Sequence, residues 1–272
     1  MNRKFHFTKA TRKCLLDFLR GKNAPEETAE PSRIPLTCAA QTHVGKVRAA
    51  NQDALVISEA LQLYGVADGM GGHKGGETAS AGCRDAVLAA LQDRKPGQQA
   101  LKEAIEAANT ALFCQQKEDE SLSGMGTTVS LIWLDDAKVH IAHVGDSRVY
   151  CLRGGELMQM TDDHSLVGEL MRQGMLTAEQ AEKHPMRNVI TRAVGTEAGI
   201  QVDLATEKRC AGDIWMVCSD GLYGMMKEEA MAEILRENAP EKAAELLLEA
   251  ALEGGGRDNI SVVVLQDKEG AR

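Results

Sequence analysis

The chain has 272 residues, of which 43% are hydrophobic and 26% are charged, as in a globular protein of one large or two small domains. Only 3% of the residues are aromatic and the net charge is −9, which argues against a surface for binding nucleic acids. No run of about 18 apolar residues is present, so no membrane-spanning helix is expected.

The first 22 residues differ from the rest in charge, since they carry seven Lys or Arg side chains and one acidic side chain. Residues 11–20 can form a short amphipathic helix that docks on the main domain, on a partner or peripherally on an anionic membrane; a frayed extension is the alternative. We predict a basic extension and linker over residues 1–36, a main domain over residues 37–267 and a tail over residues 268–272.

The main domain shows strand and helix patterns in blocks. Apolar runs predict strands at residues 61–67, 127–134, 138–143, 148–152, 156–160, 214–218 and 260–265. Helical periodicity predicts helices at residues 75–91, 98–116, 227–237 and 240–253, and two short helices within residues 165–183. Strand runs separated from helix pairs favour a layered α+β domain over a doubly wound parallel sheet.

Four short acidic motifs stand out, centred on Asp68, Asp146, Asp220 and Asp258. Each aspartate adjoins Gly, Ser or Asn at one end of an apolar run, where we expect a turn to follow a strand. Small neighbours leave room for backbone carbonyls and waters, and oxygen ligands suit Mg²⁺ or Mn²⁺. One such motif is usually an ordinary turn, but four together indicate a metal site.

Seven cysteines are scattered without a C-x-x-C pair. This spacing favours reduced thiols in a cytoplasmic protein over a disulfide framework or a zinc site. The N-terminus also lacks the apolar core of a secretory signal peptide.

The motifs resemble those of the PPM family, the metal-dependent type 2C Ser/Thr protein phosphatases, and specifically its bacterial members. The resemblance runs from about residue 37 to residue 265 and includes residues 48–53, 68–73, 124–128, 144–148, 161–165 and 187–192 besides Asp220 and Asp258. It implies a four-layer αββα sandwich of two packed antiparallel sheets flanked by helices. It also implies hydrolysis of phosphoserine and phosphothreonine in proteins.

The resemblance assigns a site with two Mn²⁺ or Mg²⁺ ions. Asp68 would bridge the two cations, the Gly69 carbonyl would bind one, and Asp220 and Asp258 would hold the other. A hydroxide bridging the cations would attack phosphorus directly, without a phospho-enzyme. Asp146 would join Asp220 at a weaker third cation; a structural turn is the alternative.

Arg48 and Asp53 complete the catalytic set that the resemblance implies. The planar fork of Arg48 suits bidentate contact with phosphoryl oxygens, and Asp53 would orient a metal-bound water. Asn259 and Gln52 would lie just outside the cations. Gln52 stands where many relatives have Glu, so one metal is expected to bind more weakly.

The general acid is unassigned, because Met70 stands where the eukaryotic branch has a histidine. His73 is a candidate substitute, although a supporting role beside the metal site is favoured. Residues 161–192 resemble the family's flap beside the cleft, and His164, His184 and Arg187 within it either touch a substrate or serve local packing.

Three alternative functions are compatible with these residues. The first is a phosphatase that opposes a bacterial Ser/Thr kinase. The second is a non-catalytic sensor or scaffold of the same fold that binds a partner through its N-terminal extension. The third is a hydrolase for a small phosphorylated metabolite. Intact Asp68, Asp220 and Asp258 favour the first over the second.

Overall fold

The computed structural model describes residues 36–267, apart from the side chains of residues 72–74. The strands in this range are β1 (Leu36–His43), β2 (Asp53–Ser58), β3 (Leu63–Met70), β4 (Gly126–Thr127), β5 (Val129–Leu134), β6 (Lys138–Val144), β7 (Arg148–Arg153), β8 (Glu156–Gln159), β9 (Asp203–Lys208), β10 (Ile214–Cys218) and β11 (Ile260–Asp267). The helices are α1 (Gly72–Leu91), α2 (Gln98–Glu118), α3 (Leu166–Arg172), α4 (Ala178–Glu182), α5 (Asp220–Tyr223), α6 (Glu228–Glu237) and α7 (Pro240–Glu253), with a 3₁₀ turn at Glu120–Leu122.

The strands form two antiparallel sheets. One sheet has the order β1-β11-β10-β7-β8, and the other has the order β2-β3-β5-β6-β9, with the short β4 paired to β3. Strands β5 and β6 pair as a hairpin, and so do β7 and β8.

Three apolar layers hold four layers of secondary structure together. Val66, Ile141 and Trp215 belong to the layer between the two sheets. The helix pair α1 and α2 covers the outer face of the β2–β9 sheet, and α6 and α7 cover the outer face of the other sheet. The predicted αββα sandwich is confirmed.

The double covering explains the continuous apolar sequence of β10. All five of its residues are buried, since Trp215 and Val217 face the opposite sheet while Ile214, Met216 and Cys218 face the helices. Burial on both faces removes the alternation of polar and apolar residues that marks a half-exposed strand.

Several sequence predictions differ from the structure. Strands β1, β2 and β9 were not predicted; β1 and β9 are sheet-edge strands, and their mixed polar sequences give little periodic signal. Asp68 lies within β3 and Asp258 precedes β11, so these two aspartates do not sit in turns that follow strands.

The domain boundaries stay a prediction. The N-terminal extension up to residue 35, including its predicted helix, and the predicted tail lie outside the described residues. Within residues 36–267, no helix is long and apolar enough to cross a lipid bilayer.

Candidate metal centre

A cavity of about 610 Å³ opens where loops from both sheets meet. Its lining includes eight residues that the sequence singled out: Arg48, Gln52, Asp68, Gly69, Asp146, Asp220, Asp258 and Asn259. Four carboxylates and one guanidinium therefore face a common space, although they come from segments far apart in the chain.

The position of Asp68 is set by β3. Asp68 is in register with Asp53 on β2, so the two carboxyl groups lie side by side and in hydrogen-bonding contact. The backbone N–H of Asp68 donates to Thr128 Oγ1 at 3.0 Å, and the Asp68 carbonyl accepts from the Thr128 N–H at 2.8 Å. These bonds fix the backbone from which the carboxylate projects.

Asp53 lies behind Asp68 rather than in the cavity lining. Ser219 Oγ donates to Asp53 Oδ2 at 2.8 Å, and the Ser261 N–H donates to Ser219 Oγ at 3.0 Å. This chain of bonds links the two sheets directly beneath the cavity. The orientation of a metal-bound water by Asp53, which the resemblance implies, stays a prediction.

Glycines allow the acidic segments to approach one another. A Cβ at Gly69 would lie 2.0 Å from the Gly76 carbonyl oxygen, and a Cβ at Gly221 would lie 2.0 Å from the Asn259 carbonyl oxygen. A side chain at either place would collide with backbone, which cannot easily move aside. Gly221 thus lets the turn that carries Asp220 pack against the segment that carries Asp258.

The side chain of Asn259 holds two segments of the site together. Its Nδ2 donates to the carbonyl oxygens of Val44 and Ala50 at 2.9 Å, and its Oδ1 accepts from the Gln52 N–H at 2.8 Å. The amide is 4% exposed, and these three bonds hold it in place. Asn259 therefore ties the loop that carries Arg48 to the segment that carries Asp258.

Arg48 contacts a predicted metal ligand. Its Nη2 donates to Asp258 Oδ2 at 2.6 Å, while its side chain stays 52% exposed at the cavity rim. An exposed ion pair of this kind is weak, so the guanidinium can move to another anion.

Burial, followed by the charges of neighbouring carboxylates, raises the pKa of the carboxyl groups in and behind the cavity. Burial raises the pKa of Asp53 to about 6, of Asp146 to about 7 and of Asp220 to about 8. The pKa of Asp68 is also well above its usual range, first because of burial and then because of Asp53 and Asp220. Removing this many negative charges from water is unfavourable unless protons or cations neutralise them.

The donor set fits hard divalent cations. Asp53 Oδ1 and Asp220 Oδ1 are buried and lack a hydrogen-bond donor among the described residues. Among the side chains that the structure describes, no three acidic, His or Cys groups already close around one point as a metal cage. Mg²⁺ does not require such a cage, because it retains several waters and uses one or two carboxylates.

The raised pKa values predict that the metal-free protein loses stability as the pH rises from 6.5 to 8.5. The folded state holds protons on Asp146 and Asp220 that the unfolded chain has released, since unfolded aspartate has a pKa of about 3.9. The expected loss is on the order of 3 kcal/mol, since Asp146 and Asp220 together stay protonated only in the folded state over about two pH units of this range, and each such unit is worth about 1.4 kcal/mol.

Thermal unfolding of the chelated protein across this range measures the effect. Burial lowers the pKa of His143 to about 4 and also lowers the pKa of His164, so their contributions rise with pH until the unfolded histidines are deprotonated. Above pH 6.5 each histidine adds back at most about 0.4 kcal/mol, which is smaller than the expected loss. Mn²⁺ should restore stability more at pH 8.5 than at pH 6.5. A metal-free melting temperature that rises over the window would contradict this assignment.

Neither of the two candidate histidines whose side chains are described, His164 and His184, lines the cavity. His164 is 3% exposed; its Nδ1 accepts from the Gly145 N–H at 3.0 Å and its Nε2 contacts Asp203 Oδ2 at 3.1 Å. Local packing, rather than substrate contact, therefore explains His164. His184 is half-buried and Arg187 is exposed, and neither lines the cavity. His73 lies in the first turn of α1, but its side chain is outside the described part of the chain.

Sequence reasoning missed the buried hydroxyls that support the carboxylates. Thr128, Ser219 and Ser261 are fully buried and hold the backbone of Asp68 or the side chain of Asp53. The signal was present, because a hydroxyl in or next to a strand that is buried on both faces must find a hydrogen-bond partner.

The protein phosphatase 2C family model matches residues 41–253 of this chain. The chain belongs to the protein phosphatase 2C family. The predicted membership among metal-dependent Ser/Thr protein phosphatases is thereby confirmed. The relatives described next carry the names of protein phosphatases.

Two bacterial relatives show the extent of the match. The Ser/Thr protein phosphatase PstP of Mycobacterium tuberculosis is 40% identical over 234 residues, which are 85% of this chain and 45% of PstP. The chain thus spans about half the length of that relative. The protein phosphatase PhpP of Streptococcus pneumoniae is 36% identical over 237 residues, which are 84% of this chain and 96% of PhpP.

Solved structures of this 2C family agree with the fold. A crystal structure of M. tuberculosis PstP superposes with a TM-score of 0.81 at 39% identity, covering 86% of this chain and 99% of that chain. The PstP catalytic domain in complex with two manganese ions superposes with a TM-score of 0.79 at 38% identity, covering 86% of this chain and 99% of that chain.

Proposed function

We propose that this chain is a metal-dependent phosphatase for phosphoserine and phosphothreonine in proteins. The observation that carries the proposal is the shared cavity, where Asp68, Asp146, Asp220 and Asp258 converge with Arg48. Four carboxylates facing one space would repel each other, and a phosphate, without divalent cations between them. The two manganese ions of the PstP catalytic domain support a pair of Mn²⁺ or Mg²⁺ ions here.

Such cations, when bound, supply positive charge at the phosphoryl group and lower the pKa of a coordinated water. The residues of the chain would hold these cations in place. Asp68, the Gly69 carbonyl, Asp220 and Asp258 would hold the cations, with Asp53 supporting Asp68 from behind. Gln52 is bonded to Asn259 through its backbone, and its side chain packs against Gly76.

Arg48 would bind the phosphoryl group. Its guanidinium already reaches over the cavity to Asp258 and is half-exposed, so it can exchange that carboxylate for phosphate. Cations on Asp258 would weaken the Arg48 ion pair by competing for the same oxygen. Its planar fork can then contact two phosphoryl oxygens at once.

The rim of the cavity favours a peptide substrate over a small metabolite. Val47 is 70% exposed at one side, and Asn188 and Ile190 from the segment 161–192 line another part. Apolar and amide groups around an exposed opening suit the main chain and side chains that flank a phosphorylated residue. A metabolite enzyme would be expected to enclose its substrate more fully.

A bacterial Ser/Thr kinase would supply the phosphoprotein substrates that this chain consumes. We place the reaction in the cytoplasm, because the described cysteines are free thiols, three of them buried. The third cation at Asp146 and the cation-binding roles of the individual residues belong to the same proposal.

The test is hydrolysis of phosphoserine and phosphothreonine peptides by the full chain. Turnover is expected with Mn²⁺, to fall to background in EDTA and to return when excess Mn²⁺ is added. Matched assays on small phosphorylated metabolites should give a lower kcat/KM. Activity that is unchanged in EDTA would refute the metal-dependent mechanism, and Mn²⁺ binding without turnover of any phosphopeptide would favour the scaffold.

A further inference from the structure

Tyr223 connects the segment that carries Asp220 to the segment that carries Asp146, which are separate motifs in the sequence. It ends the one-turn helix α5 that begins at Asp220, and its hydroxyl donates to the carbonyl oxygen of Asp146 at 3.0 Å. The bond therefore spans from the element that carries one carboxylate to the residue that carries another. Neither the acidic motifs nor the resemblance drew attention to this tyrosine.

We propose that Tyr223 is a positioning residue that holds Asp146 at a fixed distance from Asp220, and so sets the affinity of the cation site that these two carboxylates would share. The proposal rests on the proposed function, because it assumes that the cavity binds divalent cations. In this proposal Tyr223 does not touch the cation but acts on the cation site through the backbone carbonyl of Asp146.

The ring of Tyr223 is itself held in place. The guanidinium carbon of Arg148 lies 3.7 Å from the ring centroid, a cation–π contact. Arg148 in turn binds Asp163 through two hydrogen bonds of 2.9 and 2.8 Å. Because this ion pair fixes the guanidinium plane, the Tyr223 ring has little freedom to turn its hydroxyl away from Asp146.

The hydroxyl keeps its proton. Burial raises the pKa of Tyr223 well above its usual value, with Asp146 as the next cause. A protonated phenol donates a hydrogen bond to a carbonyl oxygen at any pH at which the protein is folded and active. The contact is thus constant rather than a pH-dependent switch.

The bond opposes a repulsion. Asp146 and Asp220 line the same cavity, so their negative charges repel each other when no cation lies between them. The adjacent residues of the Asp146 loop have their own anchors, since Gly145 N–H donates to His164 Nδ1 and Ser147 O accepts from Ser130 Oγ. Tyr223 anchors Asp146 itself, which lowers the cost of gathering both ligands around a cation.

The variant Tyr223→Phe tests this role by removing one hydroxyl and leaving the ring over Arg148. Tyr150→Phe is the matched control, because its hydroxyl accepts from the same Arg148 at 2.9 Å and donates to Glu228 at 3.1 Å, with no contact to Asp146. Mn²⁺ titration by calorimetry on the full chain measures each site, and Asp146→Asn identifies the site that depends on Asp146.

We expect Tyr223→Phe to weaken the Asp146-dependent site by about fivefold, which corresponds to one hydrogen bond, and to leave the tighter Mn²⁺ binding unchanged. Tyr150→Phe should match the wild-type titration. Melting temperatures of the metal-free proteins, compared in parallel, show whether the two variants are equally well folded.

Three results would overturn the proposal. They are an unchanged Asp146-dependent site in Tyr223→Phe, an equal weakening in Tyr150→Phe, and Mn²⁺ binding that is indifferent to Asp146→Asn. The first two results leave the proposed function untouched, and the third removes only its cation at Asp146. The phosphatase function itself fails if the wild-type chain shows no Mn²⁺-dependent turnover of phosphopeptides.

Discussion

Replacing Asp68 with Asn is expected to lower kcat on a phosphopeptide by at least about a thousandfold. Asp68 is the carboxylate in contact with both Asp53 and Asp220, so its loss removes the group best placed to bridge two cations. Positive charge from bound metals is worth several kcal/mol in a transition state, and each 1.4 kcal/mol or so is a tenfold change in rate.

The same variant should not unfold the protein. Asn is nearly the same size as Asp, and removing a buried charge from a crowded acidic cluster relieves repulsion in the metal-free state. The melting temperature of metal-free Asp68→Asn at pH 8 is therefore expected to equal or exceed that of the wild type. Loss of function with gain of stability separates a chemical role from a structural one.

Asp136→Asn serves as the control, because Asp136 is exposed in the turn between β5 and β6 and outside the cavity lining. It should retain full activity and an unchanged melting temperature. If Asp68→Asn kept kcat within tenfold of the wild type, the bridging role would be wrong.

The variant Gly221→Ala should damage both stability and metal binding. The new Cβ would lie 2.0 Å from the Asn259 carbonyl oxygen and 2.9 Å from its carbon, so the backbone of one segment must shift. Overpacking of this kind costs about 1–3 kcal/mol, or roughly 2–12 °C in melting temperature for a domain of this size. The shift also moves Asp220 away from Asp258, so Mn²⁺ affinity should fall.

Gly199→Ala is the matched control, since a Cβ at Gly199 would meet no atom within 4 Å. It should leave the melting temperature and the Mn²⁺ titration unchanged. A Gly221→Ala protein that binds Mn²⁺ as tightly as the wild type would show that the close approach of the two segments is not needed for the site.

Much of the fold was predictable because its central strands are buried on both faces. The continuous apolar run of β10 and the Ala-rich periodicity of α2 and α7 leave few alternatives. Edge strands are harder to predict, because β9 is polar on its exposed positions and is held by pairing with β6 rather than by its own sequence.

The acidic residues of the site were predictable as a set, whereas their supports were not. An aspartate beside glycine, serine or asparagine is visible in a sequence, and the resemblance assigned four such aspartates to one metal site. By contrast, the bond from Tyr223 to Asp146 and the bonds of Asn259 to Val44 and Ala50 depend on tertiary approach. Side chains that act through backbone atoms leave no periodic or compositional trace.

The cavity draws its acids from both sheets. Asp68, with Asp53 behind it, belongs to the β2–β9 sheet, while Asp220 and Asp258 adjoin strands β10 and β11 of the other. Each sheet therefore contributes only part of the acidic residues, and the complete site exists only where the two sheets meet. Any change that lets one sheet slide against the other, even in a distant apolar layer, would be felt first as impaired catalysis.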